Sequence, residues 1–150
     1  MIEYRNKITA AILGDEEICE LMDTTKAKAV KDLYYRHIYP HEYIPETMKD
    51  ADKYINFELQ ASMDWRNNVF NDITIWFFVL CHDDLLRTDK GLWTDRTTCR
   101  IDEIFTENNI LGIGTTSLMM NAPYVPTKDV RGRALTFKVK DFTKGGKYGK

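Results

Sequence analysis

The chain has 150 residues, 43% hydrophobic and 29% charged, with a formal charge of −2 and a pI near 5.9. That length supports a hydrophobic core without disulfides or metal, and the composition excludes a disordered chain. A slightly acidic balance argues against a dedicated nucleic-acid binder, whose mark is a basic face.

Tyr4, Ile8, Ala11 and Ile12 recur at helical spacing over residues 3–13. Gly14 ends that run, and Asp15 is placed to cap a second short helix carrying Ile18, Leu21 and Met22. The N-terminus has no apolar signal-peptide core. Lys26 to Tyr35 is a third possible helical piece, with Ala27, Val30 and Leu33 or Tyr34 on one side. In Ile38-Tyr39-Pro40-His41-Glu42-Tyr43-Ile44-Pro45 the two prolines forbid a helix and force extended backbone. The apolar side chains among them predict a segment pinned to the body. Thr47 to Asp52 reads as a loop.

Tyr54 to Ala61 alternates, with Ile55, Phe57, Leu59 and Ala61 inward and Asn56, Glu58 and Gln60 outward. Ser62 to Asn68 is a polar connection containing Trp65. The segment from Phe70 to Cys81 then predicts a long strand that is apolar on both faces. Ile73, Ile75, Phe77, Val79 and Cys81 point one way, and Trp76, Phe78 and Leu80 the other. An antiparallel sheet needs only one apolar face, so the second must meet a helix, another sheet or another copy of the chain. At nine residues the run from Ile73 to Cys81 is far too short to span a membrane.

His82 to Lys90 reads as a charged loop. Leu92 to Asn108 predicts a helix capped by Thr94 or Asp95, with Ile101, Ile104 and Phe105 buried. Gly112 to Val125 is a third strand, with Ile113, Leu118 and Met120 as candidates for burial and Pro123 and Pro126 closing it. Asp129 to Gly132 is turn-like. Ala134 to Phe142 is a fourth strand, with Leu135, Phe137 and Val139 inward and Thr136, Lys138 and Lys140 outward. The predicted architecture is α+β: N-terminal helices followed by β-β-α-β-β, one antiparallel sheet with helices packed on one face. A single domain over residues 1–143 is expected, followed by a flexible basic tail over 144–150.

No cluster of residues has convincing catalytic spacing. His37 and His41 are four apart, but Pro40 breaks the helix that would aim both at one metal. His82-Asp83-Asp84 could serve as an acid–base or divalent-ion site, and is also an ordinary polar strand exit. Glu58, Gln60 and Asp72 could imitate a nuclease metal centre, but no lysine follows the glutamate at the expected position. Gly112-Ile113-Gly114 lacks the third glycine and following helix of a dinucleotide loop. Cys19, Cys81 and Cys99 are odd in number and widely spaced, which suits reduced thiols. The expectation is a protein that is not an enzyme, with no metal and no cofactor. Its aromatic side chains then become the main signal, because Trp and Tyr concentrate at subunit contacts.

Across residues 1–142 the chain resembles the small tail-terminator, or tail-to-head joining, proteins of long-tailed bacteriophages and related prophage neck proteins. The resemblance lies in the order and character of several segments. These are the first helix followed by Asp15 to Met22, Ile38 to Thr47, the strands Tyr54 to Glu58 and Ile73 to His82, Leu111 to Gly114, and Arg131 to Phe137. It implies a structural virion component, assembled in the bacterial cytoplasm, that forms a homo-oligomeric ring, usually of six copies. Such a ring caps the tail tube, docks it to the head connector and lets DNA pass through its lumen without specific binding. Neighbouring roles are a head-completion adaptor or a minor tail protein, and a third reading is a small metal-dependent hydrolase using His82, Asp83, Asp84 and Asp72. The residues expected to meet partners are Asp72, Thr74, Trp76, Phe78 and Leu80 on the long strand, Trp65 in the preceding loop, and Tyr39 and Tyr43 in the proline segment. The basic tail has no counterpart in the resemblance.

Overall fold

The computed structural model describes residues 1–22, 30–44, 52–63, 69–111 and 114–142. Helices α1 (Ile2–Leu13) and α2 (Glu16–Leu21) open the chain. The Asp15 carboxylate caps α2 by accepting the Ile18 N–H at 2.9 Å, which satisfies a donor the short helix cannot pair internally. After a single 3₁₀ turn at Val30–Leu33 come β1 (Ile38–Tyr39), β2 (Lys53–Met63) and β3 (Phe70–His82). A small hairpin, β4 (Arg87–Thr88) and β5 (Gly91–Leu92), leads into α3 (Trp93–Phe105), followed by β6 (Ser117–Tyr124) and β7 (Val130–Phe142).

The main sheet has the order β1-β2-β3-β7-β6. All its neighbours are antiparallel except β1, which runs parallel to β2. The fold is thus α+β, as expected, but the sheet is mixed: the proline segment contributes a fifth strand, held by the Ile55 N–H donating to the His37 carbonyl at 2.8 Å. One layer of helices covers one face. Tyr4, Ile8 and Ile12 of α1, Ile18 and Leu21 of α2, and Trp93, Ile101 and Phe105 of α3 are buried against Ile55, Phe57, Ile73, Ile75, Phe77, Val79, Leu135 and Phe137. Phe77 sits at the centre, with ring centroids 5.1 Å from Phe105 and 5.7 Å from both Phe57 and Phe137. Trp93 donates its indole N–H to the Leu21 carbonyl at 2.7 Å, tying α3 to α2.

Several expectations change. Thr94 and Asp95 lie inside α3, and its N-cap is Leu92, which makes no side-chain cap. Buried Thr94, Thr97 and Thr98 share the inward stripe, whereas Ile104 is only half-buried. Pro123 does not close β6 but lies within it, tolerated because β6 is an edge strand whose outer side needs no N–H. Met120 is 53% exposed, not buried, because its side of β6 has no helix over it. Ala61 is exposed, although its cross-strand neighbour Ile73 is fully buried. Of Asp129 to Gly132 only Asp129 lies in the turn, which spans 127–129, and β7 already runs from Val130. The expectations for residues 26–29, for 47–51, for Ile113 and for the tail after 142 fall outside the described residues.

Candidate subunit interface

The sheet has a second face, away from the helices, and its register can be read as rows running across β2, β3, β7 and β6. The first two rows are Tyr54–Leu80–Gly132–Tyr124 and Asn56–Phe78–Ala134–Ala122. The next is Glu58–Trp76–Thr136–Met120, then Gln60–Thr74–Lys138–Ser117, and last Ser62, Asp72 and Lys140. This is the second apolar face expected of β3, and the structure divides it in two.

The upper rows are covered by the chain itself. Beyond β1, residues Pro40 to Ile44 leave the sheet edge and strap across this face. Asn56 donates its side-chain amide to the Tyr43 carbonyl at 2.8 Å, and Tyr39 stacks on Tyr43 at 4.2 Å with an interplanar angle of 17°. Tyr54 packs beside Tyr43 at 5.8 Å. From the far edge Tyr124 reaches over Phe78, 5.2 Å between ring centres, and its phenol is pushed upward by burial and by the nearby Glu42 carboxylate. Burial drives the Tyr54 phenol to about 12, with Asp52 adding to the effect. Arg5 of α1 anchors the strap by donating to both the Pro40 carbonyl and the Glu58 carboxylate. Under this cover Leu80 and Asn56 have no exposed surface.

The lower rows are open. Trp76 and Thr74 are half-buried, Gln60 and Lys138 are exposed, and Met119 and Met120 show 58% and 53% of their surface. Asp72 is half-buried, and its carboxylate lies 3.6 Å from the Lys140 ammonium. Thr136, 9% exposed between Trp76 and Met120, keeps a hydroxyl with no hydrogen-bond partner. Neither the Trp76 indole N–H nor the Lys138 ammonium finds a partner among the described residues.

The expected contact residues therefore separate. Asp72, Thr74 and Trp76 line the open rows, and Phe78 sits at the boundary, half-covered by Tyr124. Tyr39 and Tyr43 serve the strap. Leu80 is corrected: it faces the expected way but is sealed by its own chain and presents nothing to a partner. Trp65 lies outside the described residues. Sequence reasoning missed Met120, Lys138 and Lys140 as members of this surface. The outward alternation of Thr136, Lys138 and Lys140 already held the signal, since it sets them opposite Trp76, Thr74 and Asp72 once β7 pairs with β3.

The alternative hydrolase set does not converge. Asp72 and His82 are ten residues apart on one strand, about 33 Å. His82 accepts the Asp84 N–H at 3.1 Å and so caps the turn that follows β3, while Asp83 pairs with Arg131 at 3.4 Å. His37 contacts the Lys53 carbonyl and the Asp52 carboxylate, each at 3.1 Å, whereas His41 rests against Tyr35 and Tyr39. Among the described residues no three His, Cys, Asp or Glu side chains gather as a metal site requires, and no helix is long and apolar enough to cross a membrane.

A model of the YomW family matches residues 15–139, from the α2 cap to the end of the inward row of β7. The chain belongs to the YomW family. That family is phage-derived, which fits a phage protein. The match reaches every strand of the main sheet, so the strap and the open rows fall within the YomW region except for Lys140 and the Arg5 anchor. No curated protein matches the sequence.

Proposed function

We propose that this YomW-family protein is a structural virion component, the tail terminator, which closes into a ring, usually of six copies, over the finished tail tube and joins it to the head connector. The observation that carries the reading is the divided outer face of the sheet. One half is sealed by the strap, and the other offers Trp76, Thr74 and Met120 to solvent although the chain has helices enough to form a core. Half-buried tryptophan beside exposed methionine is the composition of a contact surface. The role needs no catalytic residue and no cofactor. A chain of formal charge −2 gives DNA in the lumen little to hold, so the duplex slides instead of sticking.

The test is to delete the gene in the phage that carries it and to locate the protein in complete particles by cryo-electron microscopy. Density confined to a ring at the head-proximal end of the tail, with tails of uncontrolled length in the deletion, is the expected result. A head-completion adaptor would leave tail length normal and free tails fully capped. Density along the tube or at its far tip would make it a minor tail protein and overturn the proposal.

A further inference from the structure

Arg5 reaches from one layer of the molecule to the other. It sits in the first turn of α1, whose Tyr4, Ile8 and Ile12 are buried on the helix side, yet its guanidinium bonds Glu58, which lies in the outer row with Trp76. Its path runs round the edge of β2, which β1 pairs only at Ile55 and Asn56. At that edge the Glu58 carboxylate joins three elements. It accepts from Arg5 of α1, from the Glu42 N–H of the strap and from the Leu59 N–H of β2, the last at 2.9 Å. A second bond from Arg5 goes to the Pro40 carbonyl, where the strap leaves β1. Bonds between a guanidinium and a carboxylate are among the strong ones.

The preceding residue fastens the same turn elsewhere. Consecutive helical residues project about 100° apart, so Tyr4 turns inward where Arg5 turns to the edge. The Tyr4 hydroxyl donates to the Asp141 carboxylate, in the helix-side row Met63–Asn71–Asp141, two strands in from that edge. One helical turn is thus tied to β7 by one residue and to the strap by the next. The strap's own hold on the sheet is slighter. β1 is two residues long, and beyond it the Asn56 amide donates to the Tyr43 carbonyl at 2.8 Å. The Asn56 Oδ1 beneath the strap is buried with no partner among the described residues, which works against closure. The Tyr39 and Tyr43 rings stack on one another but are only half-buried.

We infer that the first turn of α1 and the strap form one cooperative unit, clasped at Glu58, that opens and closes as a whole, so that α1 governs how much of the outer face the subunit presents. With the turn docked, Arg5 holds Pro40 and Glu58, and the strap keeps Leu80 and Asn56 sealed. With the turn frayed, the Pro40 carbonyl loses its donor and the Glu58 carboxylate loses the cation that fixes it for the Glu42 N–H. Such coupling is reciprocal, so lifting the strap also loosens the turn. Helix ends and short edge segments open at far lower cost than a core, which makes this unit separable from the rest of the fold. A partner that engaged the first turn of α1 would therefore uncover the upper rows from the other side of the sheet. The coupling belongs to the single subunit and holds whether or not copies form a ring.

The experiment is hydrogen–deuterium exchange of the full chain in dilute solution, read at single amides by mass spectrometry with electron-transfer fragmentation. The strap is read at the Glu42 N–H on Glu58 and at the Ile55 N–H, which donates to the His37 carbonyl at 2.8 Å. The core is read at Phe77, in mid-strand between two ladders. In the unaltered protein both strap amides should exchange well ahead of Phe77. Tyr4→Phe removes a hydroxyl beside β7, yet it should speed both strap amides by about tenfold or more, as the loss of a hydrogen bond to a charged group would. Arg5→Ala should do the same, and the double variant should gain far less than the product of the two, because both fray one turn. Phe105→Leu, a core change, should speed Phe77 and leave the strap amides as they were. Strap amides unmoved by Tyr4→Phe, or effects of the two substitutions that multiply in full, would overturn the coupling. So would strap amides that exchange no faster than Phe77 or that follow it in Phe105→Leu, since the strap would then open only with the whole fold.

Discussion

Gly132 lies in the most crowded place on the outer face, in the row shared by Leu80 and Tyr124. A Cβ there would stand 2.5 Å from the Leu80 Cδ2, 2.5 Å from the Val79 carbonyl oxygen and 3.2 Å from the Tyr124 carbonyl oxygen. Leu80 is sealed beneath the strap and cannot swing away, and the Val79 oxygen belongs to the central ladder. Overpacking of this kind costs about 1–3 kcal/mol, while replacing a strand glycine returns about 0.5–1 kcal/mol of backbone entropy. The net for Gly132→Ala is a loss of about 1–2 kcal/mol. At about 2–4 °C per kcal/mol for a chain of this size, the melting midpoint should fall by about 2–8 °C. Gly114→Ala is the control: its nearest neighbour would be the Lys140 backbone nitrogen at 3.8 Å, so it should be neutral or gain about 0.4–1 kcal/mol. A second comparison separates the two obstructions. In a Leu80→Ala background the side-chain clash is gone but the Val79 carbonyl remains, so adding Gly132→Ala should still destabilise. Thermal melts of the four variants suffice. If Gly132→Ala melts at or above the unaltered protein, the close approach of β7 to β3 under the strap is wrong.

The Tyr4 hydroxyl of α1 donates to the Asp141 carboxylate of β7, both nearly buried. Tyr4→Phe should cost about 1.5–3 kcal/mol in urea unfolding, the usual worth of a hydrogen bond to a charged group. The Asp15 carboxyl is held below its usual range by hydrogen bonds from Arg100, against burial and with help from the Ile18 N–H. Glu58 is also held low: burial works to raise it, but the Leu59 N–H and Arg5 outweigh that. Both carboxyls are depressed in the folded state, so the stability they contribute is complete above their unfolded pKa values, about 4, and is lost as pH falls through the folded ones. Melting should therefore be flat near neutrality and drop below about pH 4, and Glu58→Gln should flatten part of that drop. Burial pushes the Cys81 thiol up to about 12, whereas Cys99 is exposed. A thiol reagent should label Cys99 in the folded protein and reach Cys81 only in denaturant. Equal labelling rates would refute the burial of β3's inner face.

Local periodicity made most of the fold legible. Ile73, Ile75, Phe77 and Val79 at period two, and Leu135, Phe137 and Val139 likewise, announced two central strands and the face each would bury. The Asp15 cap was readable because it acts over three residues. What escaped was set by distant partners. β1 is a strand only because β2 runs beside it in parallel, and nothing local in Ile38-Tyr39 says so. Pro123 reads as a terminator until β6 is known to lie at the edge. Leu80 and Asn56 sit at the correct parity for the outer face, yet the strap that seals them crosses from a segment whose destination no periodicity encodes. Lys138 and Lys140 looked like ordinary solvated positions until register set them opposite Thr74 and Asp72. The candidate contact surface was thus half legible: its parity came from sequence, its boundary from tertiary structure.

The strap and the guarded edges have one physical logic. A long strand with two apolar faces, left bare in a single sheet, would be a hazard, because a flat apolar face and free edges invite open-ended stacking. Here the strap removes the upper half of that face, and Glu58, Pro123 and the shift near Met119 blunt both edges. What stays open is small and differs in character from the helix layer behind it. Two unlike surfaces on opposite sides of one subunit define a rotation from each copy to the next, and only the angle between them separates a closed ring from a filament. An edge-joined sheet could add copies without limit, whereas a contact through a face closes into a ring when its rotation returns to the starting point. On the ring reading proposed above, the strap belongs to the assembly surface as much as Trp76 does. Releasing it by Arg5→Ala should therefore yield larger and irregular species instead of monomers, because it would uncover Leu80 and extend the sticky face past the size that closure allows.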